Sequence, residues 1–290
     1  VSTCPVLEKH ADLDYLPWIR PILNASDLLH DYYLSQIAVL VDREAVDGNR
    51  IFDSMVVIDR ILPALAYRTE RRNTVSWKEL EFESELRDAV AEVNESSFGD
   101  SMPDSLRRIR RRFRVRRAAV NEDSVYDLII SEMVLLKFGN GGISFTHQIF
   151  RDYLAAVYLH NCLLENHSVE RLWHKEEIHQ SVVQYLRYLG NESTWGTEGK
   201  VSQLLLPYRG KEAEDGDWFV PNVIHCWLSV GEGERDLSSL DLRRVSLSEH
   251  LKKQFTGTIN IDQAWISRNT LMNDRHHDSV LGICFSHDNR

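Results

Sequence analysis

Long apolar runs are missing from this chain. A membrane-spanning helix needs roughly 20 consecutive apolar residues, and runs such as Val134 to Leu136 fall far short. Cysteine is scarce. The four residues Cys4, Cys162, Cys226 and Cys284 are far apart, with no CxxC pair and no histidine at metal-ligand spacing. Reduced thiols are therefore expected rather than a disulfide or zinc framework. With 14 glycines and 7 prolines in 290 residues, collagen and bulk disorder are excluded. His174-Lys175-Glu176-Glu177-Ile178-His179 is not an H-E-x-x-H motif. Its histidines are five apart and would sit about 140° from each other around a helix, off a common face. No G-x-x-x-x-G-K-[ST] run occurs: Gly210-Lys211 is followed by Glu212, and no glycine stands five positions before Gly210. The phosphate cradle and magnesium ligands of a P-loop ATPase are thus missing from these residues, so no catalytic residue and no metal site is assigned. No Ser/His/Asp or Cys/His set stands out.

What is present is ordinary for a globular protein: 43% hydrophobic and 27% charged residues, with a net charge of −10. The charge favours a soluble, cytoplasmic protein and argues against bulk nucleic-acid binding. The length suggests about two domains. The chain opens Val1-Ser2-Thr3-Cys4-Pro5, without an initiator Met or a signal-peptide pattern, and is expected to be a piece of a longer one.

Hydrophobic spacing predicts helices first. Ser26 is a candidate N-cap, and Leu29, Tyr33, Ile37, Leu40 and Val41 share one face after it. Ile51 to Tyr67 is a second helical stretch, expected to kink or end near Pro63. Ser76-Trp77-Lys78-Glu79 has the capping-box form and should open a third helix running to Val93, with a loop over 94–105. Val125, Leu128, Ile129, Met133 and Leu136 then make an amphipathic helix leading into a short strand. Gly139-Asn140-Gly141-Gly142 can supply a hairpin turn, and Ile143-Ser144-Phe145 alternates as a strand. Phe150, Tyr153, Leu154, Val157 and Tyr158 mark a strong helix after it. Helix, hairpin wing, helix is the outline of a winged-helix unit. Further helical segments carry Val169, Leu172 and Trp173, then Ile178, Val182, Tyr185, Leu186 and Leu189, followed by a loop over 191–200 and an apolar stretch, 218–230, of undetermined state. The tryptophans Trp77, Trp173, Trp218, Trp227 and Trp265 are expected in cores.

From residue 235 the period becomes five: Leu237, Leu242 and Leu247, then Ile261, Ile266 and Leu271. Five fits neither helix nor strand and suits a square β-solenoid whose sides each take about five residues. Residues 276–290 read as one strand, which is not stable alone, so the protein is expected to continue past Arg290.

The run from Arg107 to Arg117 holds eight arginines. Leu106, Ile109 and Phe113 would anchor a helix and leave Arg107, Arg108, Arg110, Arg111, Arg112 and Arg114 as an anion or nucleic-acid contact. A solvated or intrachain-paired cationic face is the alternative.

The run Phe145-Thr146-His147-Gln148-Ile149-Phe150-Arg151-Asp152-Tyr153-Leu154-Ala155-Ala156 resembles the end of the winged-helix domain of NACHT-type STAND ATPases, where F-[ST]-H-x-x-[FI]-[QR]-[DE]-[YF]-x-A-A is characteristic. Leu62-Pro63-Ala64-Leu65-Ala66 resembles part of the preceding helical domain. The five-residue blocks resemble pentapeptide repeats. His276 to Asp288 resembles the first strand of a WD-repeat propeller, with Arg275, His287 and Asn289 departing from its usual Gly, Pro and Gly. The resemblance implies a mainly α fold with small β elements: a helical domain (1–105), a winged-helix domain (106–163), a second helical region (164–232), pentapeptide-like repeats (233–272) and the start of a WD propeller (273–290).

It further implies that His147 contacts the phosphate of ADP in the resting state of a parent ATPase, whose nucleotide domain lies before Val1. ATP and ADP belong to that parent, and no cofactor is expected on this fragment alone. A protein partner or trigger ligand would bind the C-terminal repeats and the parent would self-oligomerise, with innate or antiviral defence as one setting. A structural histidine tying wing to helix is the other reading of His147. For the whole chain, the alternatives are a helical-repeat protein-interaction module without nucleotide, and nucleic-acid binding through the arginine run.

Overall fold

The computed structural model describes residues 48–72, 74–97, 107, 111, 119–132, 135–139, 142–165, 177–190, 198–229, 234–247 and 258–267. The expectations for Ser26 to Val41, for Val169 to Trp173 and for the strand at 276–290 lie outside these residues. The described chain is mainly helical and falls into two compact units, Val1–Tyr158 and Leu159–Arg290. Among the described residues, no helix is long and apolar enough to cross a membrane.

The described part of the first unit opens with α1 (Gly48–Val56), a π-helical turn (Val57–Ile61) and α2 (Leu62–Arg71). Phe52, Val56, Val57, Ile58, Ile61, Leu62, Leu65 and Ala66 are buried, so the rod is apolar on most sides and forms the centre of the core. Of the kink or end expected near Pro63, the end does not occur. Pro63 lies in the first turn of α2, where a missing N–H is tolerated. The turn before it is widened, with the Leu62 N–H donating to the Val57 carbonyl five residues back. A π turn thus absorbs the proline without ending the helix.

Helix α3 (Glu79–Ser97) begins after the expected Ser76 cap. Trp77 is drawn into an extended pairing, and the cap shifts forward: Glu81 Oε2 accepts the Lys78 N–H at 3.4 Å and the Lys78 carbonyl accepts the Phe82 N–H at 2.8 Å. The helix also runs past the loop expected from residue 94. Asn94 explains the extension: its side-chain amide donates to the Val120 carbonyl at 3.2 Å, and its Oδ1 accepts the Val120 N–H at 2.8 Å. That reciprocal pair ties the end of α3 to the entry of α4 (Glu122–Glu132), whose first turn is capped by Asn121 Oδ1 on the Ser124 N–H.

Strands β1 (Leu136–Gly139) and β2 (Gly142–Phe145) form the expected hairpin, antiparallel, with Leu136 opposite Phe145 and Phe138 opposite Ile143; Leu136, expected in the preceding helix, begins β1 because it pairs with Phe145. The other edge of β2 is also occupied. Trp77 and Ile143 exchange both backbone bonds, at 2.8 and 2.9 Å. The Trp77 ring is buried between Phe82 and Phe145, with centroids at 5.5 and 5.7 Å. Residues on both sides of the expected domain boundary at 105/106 therefore share one core. Helix α5 (Gln148–Glu165) follows. Tyr158 stacks on Tyr67 at 5.0 Å and its hydroxyl donates to Glu92. Arg68 meets Glu85 at 3.3 Å and Glu92 at 2.9 Å. Burial alone would lower the Arg68 pKa, but its bonds to Glu92 and Glu85 raise it above the usual value. This network binds α2, α3 and α5.

In the second unit α6 (Gln180–Gly190), α7 (Glu198–Leu205), a 3₁₀ turn (Leu206–Tyr208) and α8 (Phe219–Ser229) pack together. One segment differs from expectation, since α7 starts inside the loop expected over 191–200; the apolar stretch from 218, whose state the sequence left open, is helical over Phe219–Ser229. The buried Asn222 side chain accepts the Ile178 N–H at 2.9 Å and fixes the entry to α6. Trp227 is buried, whereas Trp218 and Trp265 are half-exposed. Cys162 and Cys226 are buried and form no disulfide.

The five-residue pattern becomes coil stacked on coil. Strand β3 (Arg235–Asp236) pairs in parallel with β4 (Ile259–Asn260), and Asp241 bridges in parallel to Trp265. The partners 235/259, 236/260 and 241/265 give one constant offset of 24 residues. The corners repeat at the same offset: Ser239 and Gln263 both take left-handed φ, at 58° and 55°. In the first coil Leu237, Leu242 and Leu247 are buried, and so are Arg235, Leu240 and Val245 two positions earlier. Arg235 takes an inward position because its guanidinium lies over the Trp227 ring, 5.3 Å from the centroid. In the second coil Ile261 is half-buried and Ile266 exposed; Leu271 lies outside the described residues.

Gly142 adopts φ +105°, and a Cβ there would lie 2.1 Å from the Trp77 carbonyl oxygen. Gly139, on the partner strand, has open space around it. Gly142→Ala is expected to lower stability by more than about 2 kcal/mol, and Gly139→Ala by less than about 0.5 kcal/mol. Urea unfolding of the two variants checks this; equal midpoints would contradict the close approach at Trp77.

Candidate functional site

The junction of β2 and α5 is built by the run that the sequence singled out. Phe145 is buried and fixes the end of the strand. Thr146 locks the turn, since its N–H and its hydroxyl both donate to the Leu135 carbonyl, at 2.9 and 2.7 Å. His147 comes next and is exposed. Its carbonyl accepts the Phe150 N–H at 3.1 Å, which places it at the cap of α5, and its ring lies 6.0 Å from that of Phe150. From Asp152 to Leu159 every side chain is buried, so the rest of the helix is anchored in packing. The expected apolar face is thus wider than one stripe, because small Ala155 and Ala156 let neighbours close in on α5.

In the sequence Arg151 is only the [QR] position of the run from Phe145 to Ala156. In the structure its guanidinium holds the buried Asp152 carboxylate at 2.9 and 3.0 Å and donates to the Thr74 carbonyl at 3.4 Å. It thereby ties the start of α5 to the segment leading into Trp77. Nothing in the spacing of residues signals that contact, which spans 77 positions.

The arginine run is only partly described. Arg107 is helical and half-buried, and Arg111 is helical and exposed. Arg108, Arg110, Arg112 and Arg114 lie outside the described residues. Among the described residues no bond joins His147 to Arg107 or Arg111. Arg68, Arg72 and Arg87 each pair with acids of α3 or α4. His179 makes a 2.8 Å contact from Nδ1 to the Ser181 hydroxyl; His174 is outside the described residues.

A second feature was not anticipated. In the second unit a cavity of about 810 Å³ is lined by Tyr208, Lys211, Glu212, Glu214, Asp217 and Asp241, among others. Arg243 spans two of these acids, reaching Glu212 at 2.7 Å and Asp241 at 2.6 Å. Asp241 also accepts the Ala213 N–H at 3.0 Å. Burial pushes the Asp241 carboxyl up, but the Arg243 and Ala213 bonds outweigh it and hold the pKa below the usual carboxylate value. Among the described residues, no group of acids, histidines and cysteines is arranged to hold a metal ion. The acid-rich stretch 212–217 was the available sequence signal; its convergence with Asp241 depends on the fold.

A depressed carboxyl pKa contributes stability that is present above the unfolded value of about 4 and is lost as pH falls through the folded value. Asp241→Asn should therefore be less stable than the parent chain near pH 7, and the gap should narrow below about pH 4. Denaturant midpoints at both pH values test this, and a gap unchanged at low pH would contradict the Asp241–Arg243 assignment.

No protein-family model matches this chain, and neither a curated protein nor a solved structure does.

Proposed function

We propose that this chain is the regulatory and sensor-coupling region of a NACHT-type signal-transduction ATPase, in which a winged helix holds ADP in the resting state. The observation that carries the reading is the placement of His147: exposed, at the N-terminal cap of an 18-residue helix, behind a hairpin whose β2 strand is paired on both edges. An imidazole N–H can donate to a phosphate oxygen, and the first-turn N–H groups of a helix add partial positive charge. These groups fit contact with a phosphate presented from outside the chain. They do not form a phosphate cradle, and the sequence has none elsewhere. Nucleotide binding and hydrolysis thus belong to a preceding domain of the parent protein, with ATP or ADP as its ligand.

In this reading the stacked coils of 235–247 and 258–267 and the residues beyond them act as the sensor, and the helices between transmit its occupancy. Ligand or partner binding favours an open, ATP-loaded form that self-oligomerises in the cytoplasm, a two-state population shift. A second reading, a protein-interaction module without nucleotide, draws support from the half-exposed second coil.

His147→Ala in the full-length protein should weaken ADP retention about 10- to 100-fold, as expected for loss of a hydrogen bond to a charged group, and raise basal signalling. Nucleotide content of the purified protein is the readout. Unchanged ADP content would count against the nucleotide role and leave the histidine a tie between wing and helix.

A further inference from the structure

Three large apolar side chains of the first unit are exposed around one end of α3. Leu80 on α3 is 81% exposed, Ile130 on α4 44% and Phe138 on β1 42%. Contacts between the two helices show how these side chains come together. Arg87 of α3 donates to Glu122 of α4 at 3.2 Å. Four residues back along α3 and four on along α4, the Glu83 carboxylate acts on the Tyr126 phenol. The helices therefore run antiparallel, and one more step of four sets Glu79 at the register position of Ile130. At about 100° per residue, Leu80 lies beside Glu83 around α3 and well away from the buried Phe82 and Leu86. Phe138 closes the same end, since its ring meets the Phe82 ring edge-on at 6.4 Å; the Tyr126 ring also lies 6.4 Å from Phe82.

Negative charge lies along the same seam. Burial raises the pKa of the Tyr126 phenol, and the Glu79, Glu83 and Asp127 carboxylates raise it further, so the field at that hydroxyl is negative. Arg87, on the same side of α3, is paired with Glu122 at the far end. This combination selects among partners. A purely apolar partner would desolvate Glu79 and Glu83 without pairing them. An acidic partner would be repelled. A cationic partner with apolar side chains covers the exposed patch and pairs the acids together. From Glu79 to Arg87 the seam is about 12 Å long, room for two turns of an added helix.

We propose that the α3–α4 seam docks a cationic amphipathic helix of a partner protein. Its apolar side chains rest on Leu80, Ile130 and Phe138, and its lysines or arginines meet Glu79 and Glu83. The seam lies wholly within the first unit, and the proposal does not rest on the nucleotide reading of His147.

The test titrates the full chain into a labelled synthetic amphipathic peptide of leucine and lysine and reads fluorescence anisotropy. A leucine-and-glutamate peptide of equal length is the control. The lysine peptide should bind and the glutamate peptide should not. The double variant Leu80→Ser/Ile130→Ser should weaken binding at least about 10-fold, and so should Glu79→Gln/Glu83→Gln. These four side chains are exposed or half-exposed, so the variants should keep the fold. Leu206→Ser, which removes an exposed leucine from the second unit, should leave binding unchanged. Failure of the lysine peptide to bind overturns the proposal. So does equal binding of both peptides, and so does binding that the two seam variants leave unchanged. Self-association of the parent chain that Leu80→Ser/Ile130→Ser abolishes would overturn it in favour of a second copy.

Discussion

The first unit depends on the two backbone hydrogen bonds between Trp77 and Ile143. They place a residue from between α2 and α3 against the hairpin that leads into α5. Everything around the pair serves its geometry. Gly142 has no side chain where the Trp77 carbonyl passes, Phe82 and Phe145 flank the indole, and Arg151 holds the Thr74 carbonyl just upstream. Because β2 is paired on both edges, its exit into α5 is fixed, and His147 has one place to be. Buried polar pairing reinforces this, since Arg68, Glu85, Glu92 and Tyr158 connect three helices behind the hairpin. The His147 side chain is exposed on this support.

The second unit obeys a different rule. Its helices end in a closing segment, and the coils build outward from it at a constant offset. Asp236 and Asn260 repeat the same local turn, each accepting the N–H two residues on, at 3.1 and 3.0 Å, and Asn260 donates to Asp236 across the coils at 3.1 Å.

Much of the helix and hairpin content was legible in the sequence, because α4, β1, β2 and α5 carry strong local periodicity and a glycine-rich turn. The five-residue spacing likewise pointed to inward Leu237, Leu242 and Leu247. What the sequence hid was non-local. The Ser76 cap motif looked complete, yet strand pairing at Trp77 overrode it. Asn94 looked like a loop former, yet its amide meets a backbone 26 residues away. Pro63 looked like a kink or a helix end, and the helix continues through it after a π turn. For the candidate site, the position of His147 was legible from the residues around it, whereas Arg151 and the acidic cavity arise only from folding.

The central claim is that His147 meets a diphosphate supplied by a preceding domain. The most direct measurement is a structure of the parent protein in its ADP-bound resting state. The account predicts a ring nitrogen of His147 within about 3.2 Å of a phosphate oxygen, at hydrogen-bond distance. A ring turned toward solvent or protein, with another side chain in that contact, would contradict it.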